Sequence, residues 1–231
     1  MKKLILIFIS LFSSNIISGQ YIIDESYKDK SFWNFKTELE YCIIKKDLKK
    51  LRSFLASGIN VGKDACKEFE CTPNEFMQYF FGDGANHENS WNELLTVVRL
   101  GFSKSSEKGK VVSNKGTESF TAPSYLEKIN TDKEVIILGE NVNIRQKPNL
   151  KGKVLRMVSY EKFKCDCNII DYKPTTIQSS DGIQWLEIKL LNGLVGYVSL
   201  DLTSYSIDKE MTIKKIDGQW KIISFYTEPG C

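Results

Sequence analysis

The sequence predicts an α+β chain of two domains, a small N-terminal helical bundle and then a small C-terminal β-barrel followed by a β-hairpin. Three observations carry this. Before residue 102, apolar residues recur at helical spacing and two capping boxes mark helix starts. From Glu134 onward the apolar pattern changes to period two. Asn192-Gly193 and Asp217-Gly218 then stand between apolar runs, and such dipeptides supply the positive φ angles that tight hairpins need.

The helical half divides at a change of phase. Phe32, Phe35, Leu39, Cys42 and Ile43 follow one helical stripe, and the apolar set restarts at Leu48, Leu51 and Leu55. The slip falls at Lys45–Asp47, so Asp47 is the expected N-cap of a second helix and Gly58 its stop. "TPNE" places Thr72 at N-cap, Pro73 at N1 and Glu75 at N3, and "SWNE" does the same with Ser90 and Glu93. The resulting helices present Phe76, Tyr79 and Phe80, and then Leu94, Val97 and Val98, before Gly101. The basic run "KKDLKKLR" at 45–52 sets its lysines opposite Leu48 and Leu51, which describes a solvated face. "GDGANHENS" at 82–90 lacks the spacing of a calcium loop and reads as a polar turn.

The β half follows as "EVIIL", "NVNI", two strands within "GKVLRMVSYEKFKC", "IQWLEIKL", "GLVGYVS" and the hairpin "KEMTIKKIDGQWKIISFYT". In "IQWLEIKL", Trp185, Glu187 and Lys189 share one face and Leu186, Ile188 and Leu190 the other. In the last hairpin Ile213 is expected opposite Ile222, which sets Lys214 against Lys221. "DYKPTTIQSSDG" is expected as a long loop, and residues 102–131 as a linker with room for short strands.

The first twenty residues have a basic start at Lys2 and Lys3, an apolar run from Leu4 to Phe12, and then small and polar residues. This is the layout of a secretory signal peptide, with the expected cut after Gly19; the run is short for an uncleaved membrane anchor. The expected division is therefore signal peptide 1–19, helical domain 20–101, linker 102–131, barrel 132–204, and hairpin and tail 205–231. Loss of Lys2 and Lys3 takes the formal charge from +3 to +1, which gives no electrostatic reason to expect nucleic acid. No later run is long and apolar enough to span a bilayer. The expected location is periplasmic or secreted, where disulfides persist. Of six cysteines, Cys66 and Cys71 make the best pair, and one of Cys165 and Cys167 can reach Cys231. The disulfide candidates are thus Cys66, Cys71, Cys167 and Cys231, with Cys42 a buried small hydrophobe. Cys-x-Cys with one distant His does not make a zinc site, and no cofactor or metal is expected.

The β half carries a resemblance. Val142-Asn143-Ile144-Arg145 with Pro148 is followed by Gly152-Lys153-Val154-Leu155, Trp185 stands three residues before Ile188, and Gly193-Leu194-Val195-Gly196-Tyr197-Val198 closes the series. In this order the segments resemble the bacterial SH3 (SH3b) family over about residues 134–204. The resemblance implies an SH3-like β-barrel. It also implies a groove for a peptide or a peptidoglycan fragment, with Arg145, Trp185 and Tyr197 as its candidate contacts; Trp185 and Tyr197 either pack in the barrel or form that groove, and Arg145 is otherwise a structural residue of the rim. Two departures are the long loop at 171–182 and Tyr197 where Trp is commoner.

Such modules often accompany cell-wall cysteine peptidases. A cysteine peptidase needs a Cys activated by a His and oriented by a third group. His87 is the single histidine, Cys42 sits on an apolar stripe, and no Gly-x-Ser-x-Gly elbow or phosphate loop is present. The expectation is an exported, non-catalytic binding protein of the cell envelope. A structural role in contact with other envelope proteins is the alternative, and a cell-wall hydrolase a more distant one.

Overall fold

The computed structural model describes residues 22–62, 66, 70–104, 118–126, 129–130, 133–165, 174–191, 193–207 and 209–226. The expected signal peptide, most of the linker, Cys167 and Cys231 lie outside the described residues. The described residues form an α+β fold of four α-helices and two sheets.

Helix α1 (Lys30–Lys45) starts where the Asp29 carboxylate accepts the Ser31 and Phe32 N–H groups. It ends at Lys46, whose φ of 54° breaks the stripe where the sequence slips phase. Asp47 caps α2 (Leu48–Phe54) by accepting the Lys50 N–H. Helix α3 (Pro73–Phe81) carries the capping box of Thr72 and Glu75. Helix α4 (His87–Arg99) begins earlier than expected. Asn86 is its cap, accepting the Asn89 N–H. Ser90 is buried inside the helix and donates its hydroxyl to the Phe80 carbonyl at 2.8 Å. That buried carbonyl claims the hydroxyl and leaves the capping role to Asn86.

The first sheet has the order β2-β1-β13-β12-β4-β3. It comprises β1 (Leu55–Asn60), β2 (Glu70–Cys71), β3 (Ser103–Lys104), β4 (Ser119–Ala122), β12 (Glu210–Ile216) and β13 (Gln219–Tyr226). The expected small helical bundle is therefore corrected: the helices pack on a sheet whose strands come from residues 55–71, 103–122 and 210–226. The second helix stops at Phe54 instead of running to Gly58, because residues 55–60 pair in parallel with β13. Ile213 opposes Ile222 and Lys214 opposes Lys221, as the hairpin dipeptide requires. The like charges are relieved because Lys221 donates to the Ser53 carbonyl at 2.7 Å. A bulge at this point lets Ile222 and Phe225 both reach the core, opposite Ile213 and Met211. At the centre Phe32 stacks on Phe120, centroids 3.7 Å apart and planes within 3°, with Phe102 and Trp220 edge-on to it.

The second sheet has the order β5-β8-β10-β11-β6-β7, with β9 beside β10. Its strands are β5 (Glu134–Ile136), β6 (Val142–Arg145), β7 (Val154–Val158), β8 (Lys162–Cys165), β9 (Thr176–Gln178), β10 (Gln184–Lys189) and β11 (Val195–Ser199). One core of Val135, Val142, Ile144, Phe163, Leu186, Ile188 and Val198 lies against it. The expected closed barrel is corrected: β5 and β7 are not paired. Residues 200–206 occupy the place beside β5. Thr203 bridges Ile137, Leu138 donates to the Leu202 carbonyl, and Ile136 donates to the Ser204 hydroxyl.

β4 and β12 are hydrogen-bonded neighbours, with Ala122 opposite Met211. The second sheet is therefore an excursion between two paired strands of the first. Its root is a separate apolar cluster of Leu100, Tyr125 and Ile136, with Ile207 packed against it. Ser124 adds two hydrogen bonds to the Leu100 carbonyl, from its amide and its hydroxyl.

Asp24 ties the start of α1 to the strand side. Its carboxylate accepts from Lys36 at 2.5 Å and from the Ser26 and Phe102 amides at 3.2 Å. Burial pushes its pKa up, but Lys36 and the two amides together hold it below its ordinary 3.8. A depressed folded pKa gives stabilisation that is complete above that ordinary value and lost as pH falls through the lower folded one. Asp24→Asn should melt below the wild type at neutral pH, by about 1–3 kcal/mol of stability. The gap should shrink as pH falls below about 4, read from melting curves; a gap independent of pH would contradict this role.

Candidate functional site

The face of the second sheet turned away from its core holds two of the three expected contacts side by side. Alternation buries Val142 and Ile144 on β6 and Val198 on β11, so Asn143, Arg145, Tyr197 and Ser199 share the opposite face. Arg145 is the register partner of Tyr197, and Tyr197 of Glu187. Arg145, Tyr197 and Glu187 thus form a row across β6, β11 and β10, each half-buried.

Three local features aim this row. The β6–β7 ladder shifts register between Ile144 and Arg145, and a bulge of this kind redirects the side chain beside it. Arg145 then donates Nη1–H to the Gly152 carbonyl at 2.9 Å, which fixes the guanidinium against the folded-back 146–153 loop. A Cβ on Gly152 would lie 2.8 Å from the Lys147 carbonyl oxygen, so this loop closes only with glycine there. At the centre, a Cβ on Gly196 would lie 2.5 Å from Cγ2 of the buried, β-branched Ile144. Gly196 is what lets β11 lie close against β6.

Tyr197 donates its hydroxyl to Glu187 Oε2 at 3.1 Å. Its phenol is raised above the ordinary value, first by burial and then by the neighbouring carboxylate. The row therefore presents a guanidinium, a neutral aromatic ring and a carboxylate in line. It can stack on a flat or apolar group while pairing with an anion at one end and a cation at the other.

Trp185, the third candidate contact, follows the packing alternative and is 2% exposed. Its indole N–H donates to the Ser179 hydroxyl at 3.0 Å, and its register partner on β9 is Ile177. Within the expected long loop, residues 176–178 form strand β9 beside β10, and the buried Trp185 is held there as part of the sheet. Glu187 is the residue that sequence reasoning missed. The strand alternation had placed it on the same face as Trp185, but only the Glu187–Tyr197 register brings it to the tyrosine.

The other candidates lie elsewhere. Cys66 and Cys71 stand at disulfide distance, Cα atoms 5.4 Å apart, next to β2. Cys165, on the core side of β8, is also disulfide-bonded. Cys42 is buried, donates to the Asp47 carbonyl, and has its thiol pushed up to about 11, first by burial and then by Asp47. His87 meets the Gly82 carbonyl and the Phe81 ring. Cys42 and His87 are thus each engaged with backbone, and the Cys42 thiol is far from the thiolate a nucleophile needs. No group of three metal-binding side chains occurs among the described residues. A cleft of about 360 Å³ between α2 and α3, lined by Lys49, Arg52, Ser53, Pro73 and Asn74, contains no carboxylate or histidine. Compared with protein-family models, with curated proteins and with solved structures, the chain finds no match in any of the three.

The roles of these aromatic residues and of the central glycine separate in stability measurements. Trp185→Ala should cost about 3–5 kcal/mol in chemical denaturation. Gly196→Ala should cost about 1–3 kcal/mol through the forced Ile144 shift. Tyr197→Ala should stay near 1 kcal/mol, since it removes one partly exposed hydrogen bond. Equal losses for Trp185→Ala and Tyr197→Ala would show that the two rings are packed alike.

Proposed function

We propose that the protein is an exported, non-catalytic binding protein of the cell envelope. Its second sheet is an SH3-like module that holds a peptide or a peptidoglycan stem fragment. The observation that carries this reading is the row of Arg145, Tyr197 and Glu187 on three adjacent strands. Peptide fragments of this kind carry free carboxylates and amines on a short backbone, and the row offers a partner for each around a stacking ring. The segments that resemble the SH3b family supply β6, β7, β10 and β11, the strands that build this face. The cysteine pair at disulfide distance is compatible with an oxidising, extracytoplasmic compartment. No described helix is long and apolar enough to cross a membrane.

A second reading, assembly with other envelope proteins, has one observation in its favour. The β10–β11 hairpin tip exposes Leu191, 96% accessible, with Leu194 beside it. Isolated apolar residues at a tip are weaker support than a built row.

Sedimentation with purified peptidoglycan distinguishes the two. Wild-type protein should be retained, and Tyr197→Ala and Arg145→Ala should each reduce retention about tenfold or more, as expected for an aromatic or arginine anchor. Leu191→Ser should leave retention unchanged. Absence of wild-type retention, or retention unaffected by both row variants, would overturn the reading.

A further inference from the structure

Helix α1 is apolar on two sides. One side buries Phe32, Leu39 and Ile43 in the first core. The other exposes Trp33, Tyr41 and Ile44, which are 42%, 63% and 49% accessible. With Thr37 they follow spacings of four, four and three, so they form a single row along the helix. Leu48, just past the break, is exposed as well. A soluble helix needs one apolar stripe and has its charged side in water. A second row containing Trp and Tyr calls for an occupant.

Charge identifies it. Residues 30–52 carry seven cations against three carboxylates. Glu38 is paired with Lys50 and Glu40 with Arg99, while Asp47 caps α2. Among the described residues Lys30, Lys45 and Lys49 have no carboxylate partner, and Lys45 Nζ stands 5.6 Å over the Tyr41 ring. A second copy of the chain is disfavoured, because a twofold contact along this row would bring the same uncompensated lysines together. Indole and phenol rings with an aliphatic residue next to them and lysines alongside are the composition of a helix lying in a lipid interface. There the rings sit at headgroup depth and the long lysine stems reach the phosphates.

We propose that the outward row of α1 docks this protein on an anionic lipid surface, with Trp33, Tyr41 and Ile44 entering the interface and Lys30 and Lys45 meeting the headgroups. The contact is peripheral and independent of the Arg145–Tyr197–Glu187 row.

Flotation with vesicles tests it, using the chain from Gln20 onward so that the apolar run at 4–12 contributes nothing. Vesicles of phosphatidylcholine with one-third phosphatidylglycerol are compared with pure phosphatidylcholine at physiological salt. Binding should favour the anionic vesicles. It should weaken about tenfold in Ile44→Asn, which removes one half-exposed apolar side chain from the interface. It should weaken similarly in the Lys30→Glu, Lys45→Glu double variant. Trp33 emission should shift to the blue on binding, followed in a chain whose other tryptophans are Phe. All substituted side chains other than those tryptophans are exposed, and circular dichroism checks each fold. Equal binding to neutral vesicles, or binding unchanged by the variants, would overturn the proposal. So would wild-type protein that stays with the unbound fraction, including protein that self-associates through the row or is held by an acidic protein instead.

Discussion

Strand β13 lies between β1 and β12 in the middle of the first sheet, although it is the last described segment of the chain. The architecture of the N-terminal half depends on that pairing. Helices α1 to α4 have apolar faces rich in Phe and Leu, but much of what they cover comes from Met211, Ile213, Trp220, Ile222 and Phe225. Without β12 and β13, β1 loses its parallel partner, and Phe32 loses the edge of Trp220. The cost of joining ends so far apart in sequence must be met before these contacts form.

The same pairing sets the position of the second sheet. Because β4 and β12 are adjacent, the chain leaves and re-enters the first sheet side by side, and the module is held at two points. The Leu100–Tyr125–Ile136 cluster seals this root. The two surfaces proposed to bind, the Arg145–Tyr197–Glu187 row and the outward side of α1, belong to different units joined by that root.

Local chemistry was legible in the sequence. The Thr72–Glu75 capping box, the phase slip at Lys46, the Asp217-Gly218 hairpin and its Ile213–Ile222 register all rest on contacts within a few residues, and all occur as read. What was not legible depends on distant partners. Leu55 continues the helical spacing of Leu48 and Leu51, but a strand more than 150 positions away recruits residues 55–60. Ser90 has the sequence of a cap, but the Phe80 carbonyl takes its hydroxyl. The strands read from 134 onward occur, apart from β9 within the expected loop, whereas residues 200–206, and not β7, lie beside β5. In the candidate site Arg145 and Tyr197 came from the resemblance and are neighbours. Trp185 is buried next to β9, a strand too short to show a period, and Glu187 needed the register to be seen beside Tyr197.

The most direct test of this account is hydrogen exchange followed by mass spectrometry on a chain that ends after residue 207. Loss of β12 and β13 should abolish the slow exchange of α1 to α4, because the surface on which they pack has been removed. The second sheet, whose core is its own, should keep its protected amides. Helices that remain protected in the shortened chain would show that they form an independent bundle, and would contradict the architecture on which the rest of the account is built.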